Sequence, residues 1–183
     1  MASKEKLRKK FVLLRKKKYF SVEKKFFKPL IELISKKNKK KISLYYPSNY
    51  EVDTKKLFEI LKSRKILQTS LPIVSSNGEM FFSKWSLNEP LKVNRYGFLE
   101  PVIYKRIRNP NVILIPLLAY DRFRNRLGYG KGYYDRFLRD QLIKNKNILT
   151  IGLAFSFQKY KKIPNTKSDV KLDYILTEKG FVK

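Results

Sequence analysis

Gly128, Gly130 and Gly132 alternate within the run Arg126-Leu127-Gly128-Tyr129-Gly130-Lys131-Gly132-Tyr133-Tyr134-Asp135, in a chain that has only 7 glycines. Concentrating scarce glycines there signals a need for backbone freedom or for close approach to the backbone. Alternating glycines let successive amides turn inward as a concave row of N–H donors, and a helix opening after them adds its positive end. Arg126 and Lys131 bring full charges. Tyr129, Tyr133 and Tyr134 can stack on a ring or donate to a phosphate. Asp135, in the first helical turn, can take a Mg²⁺ that bridges phosphates. The chemistry these residues suit is phosphate binding. A tight structural turn, with Asp135 as an acid favoured at a helix start, is the competing reading. The run is not a Walker A loop, since no Ser or Thr follows Lys131, nor the G-x-G-x-x-G dinucleotide fingerprint.

The elements around the run must hold it. The apolar stretch Val112 to Ile115, closed by Pro116, reads as a central strand buried on both faces. Leu117 to Gly132 reads as a long loop, and Tyr133 to about Lys144 as a helix with Tyr134, Phe137, Leu138 and Leu142 on its apolar face. Further helices are expected from Lys4 to about Tyr19, from Ser21 to Ser35 weakened or kinked at Pro29, and from an Asp53-Thr54 cap to about Arg64. Lys36 to Lys41 reads as an exposed connection. Strands are expected at Ile42–Tyr46, Ile66–Val74, Glu79–Trp85, Ile148–Phe155 and Val170–Leu176. Asn88 to Pro90 reads as a turn, and Tyr96 to Pro101 as a loop or short extended piece. Strands alternating with helices predict an open α/β sheet covered on both faces, in one domain over residues 1–183.

Composition narrows the chemistry. The 183 residues include no cysteine and no histidine, so disulfides, thiolate or imidazole metal sites and Ser-His-Asp or Cys-His catalysis are excluded. Acid, base, metal and nucleophile roles fall to Asp, Glu, Lys, Tyr, Ser or Thr. No apolar stretch approaches the roughly 20 residues of a membrane helix. The start has no secretory signal pattern, and the lack of cysteine suits a reducing compartment, so a cytoplasmic location is expected. With 43 basic against 15 acidic residues the formal charge is +28. That balance suggests a polyanionic partner, nucleic acid first. The lysines are spread along the chain, however, and we favour a solvated lysine surface over a dedicated nucleic-acid site.

The run RLGYGKGYYD, preceded by VILIP and Asp121, closely resembles the signature of the 5-formyltetrahydrofolate cyclo-ligase family. The resemblance extends from Lys4 to about Leu176. Lys4 with Leu7-Arg8 is similar to the family's N-terminal basic ATP-binding motif. Glu51-Val52-Asp53-Thr54 resembles its E-x-[DE]-T segment, and Gly97-Phe98-Leu99-Glu100-Pro101 its G-I-x-E-P segment. Gly152-Leu153-Ala154-Phe155, with Gln158, Pro164, Asp169 and Asp173, resembles its C-terminal block. Four positions depart from the pattern. Leu117 and Arg124 stand where glycines are usual, Ile73 where a basic residue is common, and Ser168 where histidine is frequent.

The resemblance implies a three-layer αβα architecture with an open, mostly parallel central sheet, like the NagB/RpiA/CoA-transferase-like fold. It implies ATP- and Mg²⁺-dependent cyclisation of 5-formyltetrahydrofolate to 5,10-methenyltetrahydrofolate with release of ADP and phosphate. By that resemblance ATP is a co-substrate bound by Lys4, Glu5, Lys6, Leu7 and Arg8, and by Arg126, Leu127, Gly128, Tyr129, Gly130, Lys131, Gly132, Tyr133 and Tyr134. Folate meets Tyr46, Glu51 and Tyr129 to Tyr133; Asp135 and Asp169 hold Mg²⁺; Lys131, Arg126 and Tyr133 stand at the reaction. Read without it, Lys4 and Arg8 are solvated helix charges, Glu51 a surface charge, Asp169 a loop cap and Tyr46 a core or edge aromatic. Trp85 reads as a packed core residue that could also line the folate pocket. The implied partners are small molecules, with no membrane, and a monomer is expected. A basic nucleic-acid-binding protein without activity is the alternative, and a different ATP-dependent kinase or ligase on this fold is a third reading.

Overall fold

Residues 3–64, 68–107 and 109–182 are described by a computed structural model. The apolar run forms β6 (Val112–Pro116), which pairs in parallel with β1 (Lys41–Ser43) on one side and β9 (Leu149–Leu153) on the other. Outward from β1 lie β2 (Gln68–Val74), parallel, and β3 (Met80–Lys84), antiparallel. Outward from β9 lie β10 (Tyr174–Thr177), parallel, and β11 (Gly180–Phe181), antiparallel. The seven-stranded order is therefore β11-β10-β9-β6-β1-β2-β3.

Period-two side chains send alternate residues of β6 to opposite faces. Val112 and Leu114 join α2 (Lys28–Lys36) and α3 (Lys55–Lys62) in one core. Ile113 and Ile115 join α4 (Tyr133–Lys144) in a second core on the other face. A third, smaller cluster joins Leu7 and Phe11 of α1 (Lys4–Lys18) to Leu118, Ala119 and Leu127. From β1 the chain crosses by α3 to β2, whereas from β6 it crosses by α4, on the opposite face, to β9. The loops leaving β1 and β6 thus diverge at a topological switch point, where open α/β sheets open a crevice beyond their strand ends.

Several expectations change in detail. Pro29 does not kink a long helix: a 3₁₀ turn at Lys24–Phe27 precedes α2, and Pro29 sits in the first turn of α2, where no intrahelical N–H is needed. Thr54 occupies the cap position of α3, but its hydroxyl donates to the Tyr45 carbonyl at 2.6 Å. Asp53 does the capping, accepting from the Lys55 amide at 2.9 Å. The long loop contains a hairpin, β7 (Ala119–Tyr120) with β8 (Arg126–Leu127), closed by the Asp121 carboxylate. That carboxylate accepts from the Phe123, Asn125 and Ile163 amides. A second hairpin pairs β4 (Leu91–Val93) with β5 (Leu99–Pro101). The last parallel strand starts later than expected, at Tyr174, because the Asp173 carboxylate takes the Thr150 amide and hydroxyl, both at 2.8 Å. Ile66 and Leu67, expected to begin β2, lie outside the described residues.

Candidate active site

A cavity of about 510 Å³ lies at the switch point. Its floor comes from the carboxyl ends of the parallel strands: Tyr45 and Tyr46 after β1, Pro72 and Val74 of β2, Pro116 of β6. Its walls include the whole stretch from Arg126 to Asp135, together with Lys4 and Arg8 of α1, Ser48 and Glu51, and Thr166, Ser168 and Asp169. Residues far apart in sequence are therefore neighbours around one space.

The glycine run takes up the conformations that its glycines permit. Gly130 has φ +101° and Gly132, which caps α4, φ +69°. A Cβ on Gly130 would also stand 3.1 Å from the guanidinium carbon of Arg8. The Arg8 Nε donates to the Gly128 carbonyl at 3.0 Å, which ties α1 to the loop. Lys131 is exposed at the cavity rim, and its backbone carbonyl accepts from Arg136 at 3.1 Å.

Both carboxylates expected to meet a metal line the cavity, and each faces a cation. Asp169 accepts from Lys4 Nζ at 2.5 Å and from the Thr166 amide at 2.6 Å. Partial burial would raise the Asp169 pKa, but the hydrogen bonds from Lys4 and Thr166 outweigh it and hold the carboxyl below its ordinary value. Asp135 Oδ1 lies 2.8 Å from a guanidinium nitrogen of Arg126, whose side chain is 5% exposed. That contact lacks hydrogen-bond alignment, leaving two Arg126 nitrogens without a hydrogen-bonded acceptor among the described residues. Among the described residues the buried Tyr134 hydroxyl has no hydrogen-bond partner either. Buried polar groups are normally satisfied, so unsatisfied donors on a cavity wall suit a polar ligand.

Glu51 is 6% exposed, so it is no surface charge. Burial pushes its carboxyl up, and hydrogen bonds from Tyr129 and Ser48, with the charge of Arg15, pull it partly back. Burial likewise drives the Tyr129 phenol well above its ordinary value, with the Glu51 charge next in effect. Tyr46 is half-buried at the cavity, edge-on to Trp85 with ring centroids 6.2 Å apart. Trp85 is a core residue, 2% exposed, its indole N–H donating to the Glu89 carbonyl.

Not all expected residues converge. Leu7 is buried in the α1 cluster, while Glu5 and Lys6 are exposed, Glu5 pairing with Lys9 at 3.2 Å; none of the three lines the cavity. Conversely, Arg15, Arg136, Arg139 and Asn94 of the β4–β5 hairpin are at or behind the site without having been singled out, and Phe98 and Leu99, quoted above only for their likeness to G-I-x-E-P, line it too. A signal for Arg15 existed: at 3.6 residues per turn, Lys4, Arg8 and Arg15 fall within about 40° on one helix face.

The model of the 5-formyltetrahydrofolate cyclo-ligase family matches residues 1–178. The chain belongs to this family. It is 30% identical to the 5-formyltetrahydrofolate cyclo-ligase of Haemophilus influenzae over 152 residues, covering 80% of each chain. It is 34% identical to the protein of that name from Mycoplasma genitalium over 148 residues, covering 79% of this chain and 76% of the relative. Among solved structures it resembles the 5,10-methenyltetrahydrofolate synthetase of Aquifex aeolicus with TM-score 0.74 and 31% identity, over 97% of this chain and 91% of that one. The synthetase of Mycoplasma pneumoniae follows with TM-score 0.73 and 28% identity, over 97% and 99%.

The departures from the family pattern have local explanations. Arg124 keeps a left-handed backbone, φ 65°, in the β7–β8 turn, and its Nε donates to the Leu172 carbonyl at 3.2 Å. Leu117 is buried directly over Gly152, where a Cβ would stand 2.6 Å from its Cδ2. Ile73 is buried while its neighbours Pro72 and Val74 line the cavity, so a side chain at 73 points elsewhere. Ser168 does reach the cavity, bonded to the Thr166 hydroxyl at 2.8 Å.

Proposed function

We infer that this chain is a 5-formyltetrahydrofolate cyclo-ligase, using ATP to cyclise 5-formyltetrahydrofolate to 5,10-methenyltetrahydrofolate with release of ADP and phosphate. The observation that carries the reading is the convergence of Lys4, Arg8, Glu51, Asp135, Asp169 and the glycine run on one cavity, in a member of this family. A formamide oxygen is a poor leaving group. Transfer of the ATP γ-phosphoryl to it gives an iminium phosphate; the folate's anilino nitrogen attacks the formyl carbon and gives up its proton to solvent, and phosphate departs with the oxygen. Phosphoryl transfer asks the protein for positioning and charge neutralisation, which a site without histidine or cysteine can supply.

The glycine run supplies inward amides, and Lys131, Lys4 and Arg8 supply positive charge, for the ATP phosphates. Arg126 and Tyr133 flank the transferring group. Glu51, an acceptor in a buried wall, takes the donor-rich edge of the pterin, and Tyr46 offers an aromatic face. Asp135 and Asp169 suit Mg²⁺, which binds one or two carboxylates together with phosphates and retained water. Bound there, the ion would neutralise charge on the phosphates. Their present partners, Arg126 and Lys4, compensate both carboxylates in the same manner. Incubation with ATP, Mg²⁺ and 5-formyltetrahydrofolate is expected to give the absorbance of the methenyl product. No product with any divalent metal rejects the reading.

A further inference from the structure

Arg15 belongs to none of the phosphate-binding parts described above, yet its side chain is among the most deeply buried in the protein, with the residue 1% exposed. A guanidinium always carries its charge, so such burial requires a compensating group. One nitrogen donates to the Leu117 carbonyl at 3.4 Å and another to the Tyr129 hydroxyl at 2.7 Å, with the guanidinium 5.5 Å from that ring's centroid. The Tyr129 hydroxyl in turn bonds Glu51 Oε1. The direction of this relay is fixed. A guanidinium only donates and a carboxylate only accepts, so the hydroxyl between them accepts from Arg15 and donates to Glu51. The other Glu51 oxygen takes the Ser48 amide at 2.9 Å and its hydroxyl at 3.4 Å. Both oxygens are therefore anchored, and the carboxylate holds one orientation at the cavity wall.

We propose that Arg15 is a positioning residue for the folate half of the site, setting through the Tyr129 hydroxyl the orientation in which Glu51 meets the pterin. The inference deepens the cyclo-ligase reading and rests on it. It also divides the labour of α1. Lys4 and Arg8 reach Asp169 and Gly128 at the phosphate loop, whereas Arg15, two turns beyond Arg8, reaches the carboxylate assigned to the other substrate.

The test compares wild type, Arg15→Met, Tyr129→Phe and the double variant in the turnover assay, varying each substrate in turn. Loss of a charge-assisted relay is expected to raise KM for 5-formyltetrahydrofolate about tenfold or more, with KM for ATP within about twofold. The double variant should be little worse than Tyr129→Phe alone, because the relay is already cut. Equal rises in both KM values, losses that multiply in the double variant, or an unchanged folate KM would overturn the inference. If Arg15→Met does not fold, the same substrate split read from Tyr129→Phe and Arg15→Lys decides the matter. Wild-type protein without turnover overturns the cyclo-ligase reading and this inference together.

Discussion

Lys131 and Asp135 stand four residues apart and predict the same loss of turnover with different effects on stability. Lys131 is exposed, so Lys131→Ala removes charge from the proposed phosphate site without touching the core. It should lower kcat/KM by about 100-fold or more while the melting temperature stays within about 1 °C. Asp135 faces the buried Arg126, so Asp135→Ala leaves a guanidinium without its carboxylate. That variant should lose both turnover and about 1–3 kcal/mol of stability in urea titration. The Lys4–Asp169 pair makes a pH-dependent prediction. Asp169 titrates below its ordinary value when folded, so its contribution is present above the unfolded pKa and fades as pH falls through the folded one. Lys4→Met should therefore be less stable than wild type at pH 7, with the gap closing below about pH 4. A gap that persists at pH 2 would mean that Lys4 stabilises by packing instead. The charged residues of the glycine run were legible because their spacing is local. Arg15 was not, because its partners are Leu117 and Tyr129, over a hundred residues away, and only helical phase linked it to Lys4 and Arg8.

At the scale of elements, the sheet tightens at Gly152. A Cβ there would lie 2.6 Å from Leu117 Cδ2 and 2.9 Å from Leu172 Cδ1, so Gly152→Ala should cost about 1–3 kcal/mol by overpacking. Adding Leu117→Ala relieves the closer contact, and the double variant should be more stable than the two single losses predict when summed. Additive losses would show that Leu172 or the backbone sets the limit. Strongly periodic elements were readable in advance: α1, α4 and the central strands β6 and β9 fall where apolar spacing puts them. The two small hairpins were not. β7 and β8 have two residues each, too few to display a period, and their pairing depends on the Asp121 carboxylate gathering amides from across the turn. Pro29 misled for a related reason, since a proline is compatible with a first turn as much as with a kink.

At the scale of the whole molecule, the formal charge of +28 makes the fold self-repelling. Raising NaCl from about 50 to 500 mM, where the Debye length falls several-fold, should raise the melting temperature while weakening ATP binding. Stability that falls with salt would mean that ion pairs, not repulsion, dominate. RNA binding with a steep salt slope and no turnover would instead support the nucleic-acid alternative. Helix α1 has a consequence that reaches beyond catalysis. Its buried apolar contacts lie in a cluster separate from the two faces of the sheet, yet it supplies Lys4 and Arg8 to the cavity and Arg15 to the Tyr129 hydroxyl in the wall behind it. Detachment of this one segment would dismantle both halves of the site and leave the sheet standing. Low urea should then silence the enzyme while far-UV circular dichroism still reports a nearly intact fold, and amides of α1 should exchange with deuterium sooner than those of β6. Catalytic competence would be a readout of local docking, and the working lifetime of the enzyme would be set by its least tightly held helix.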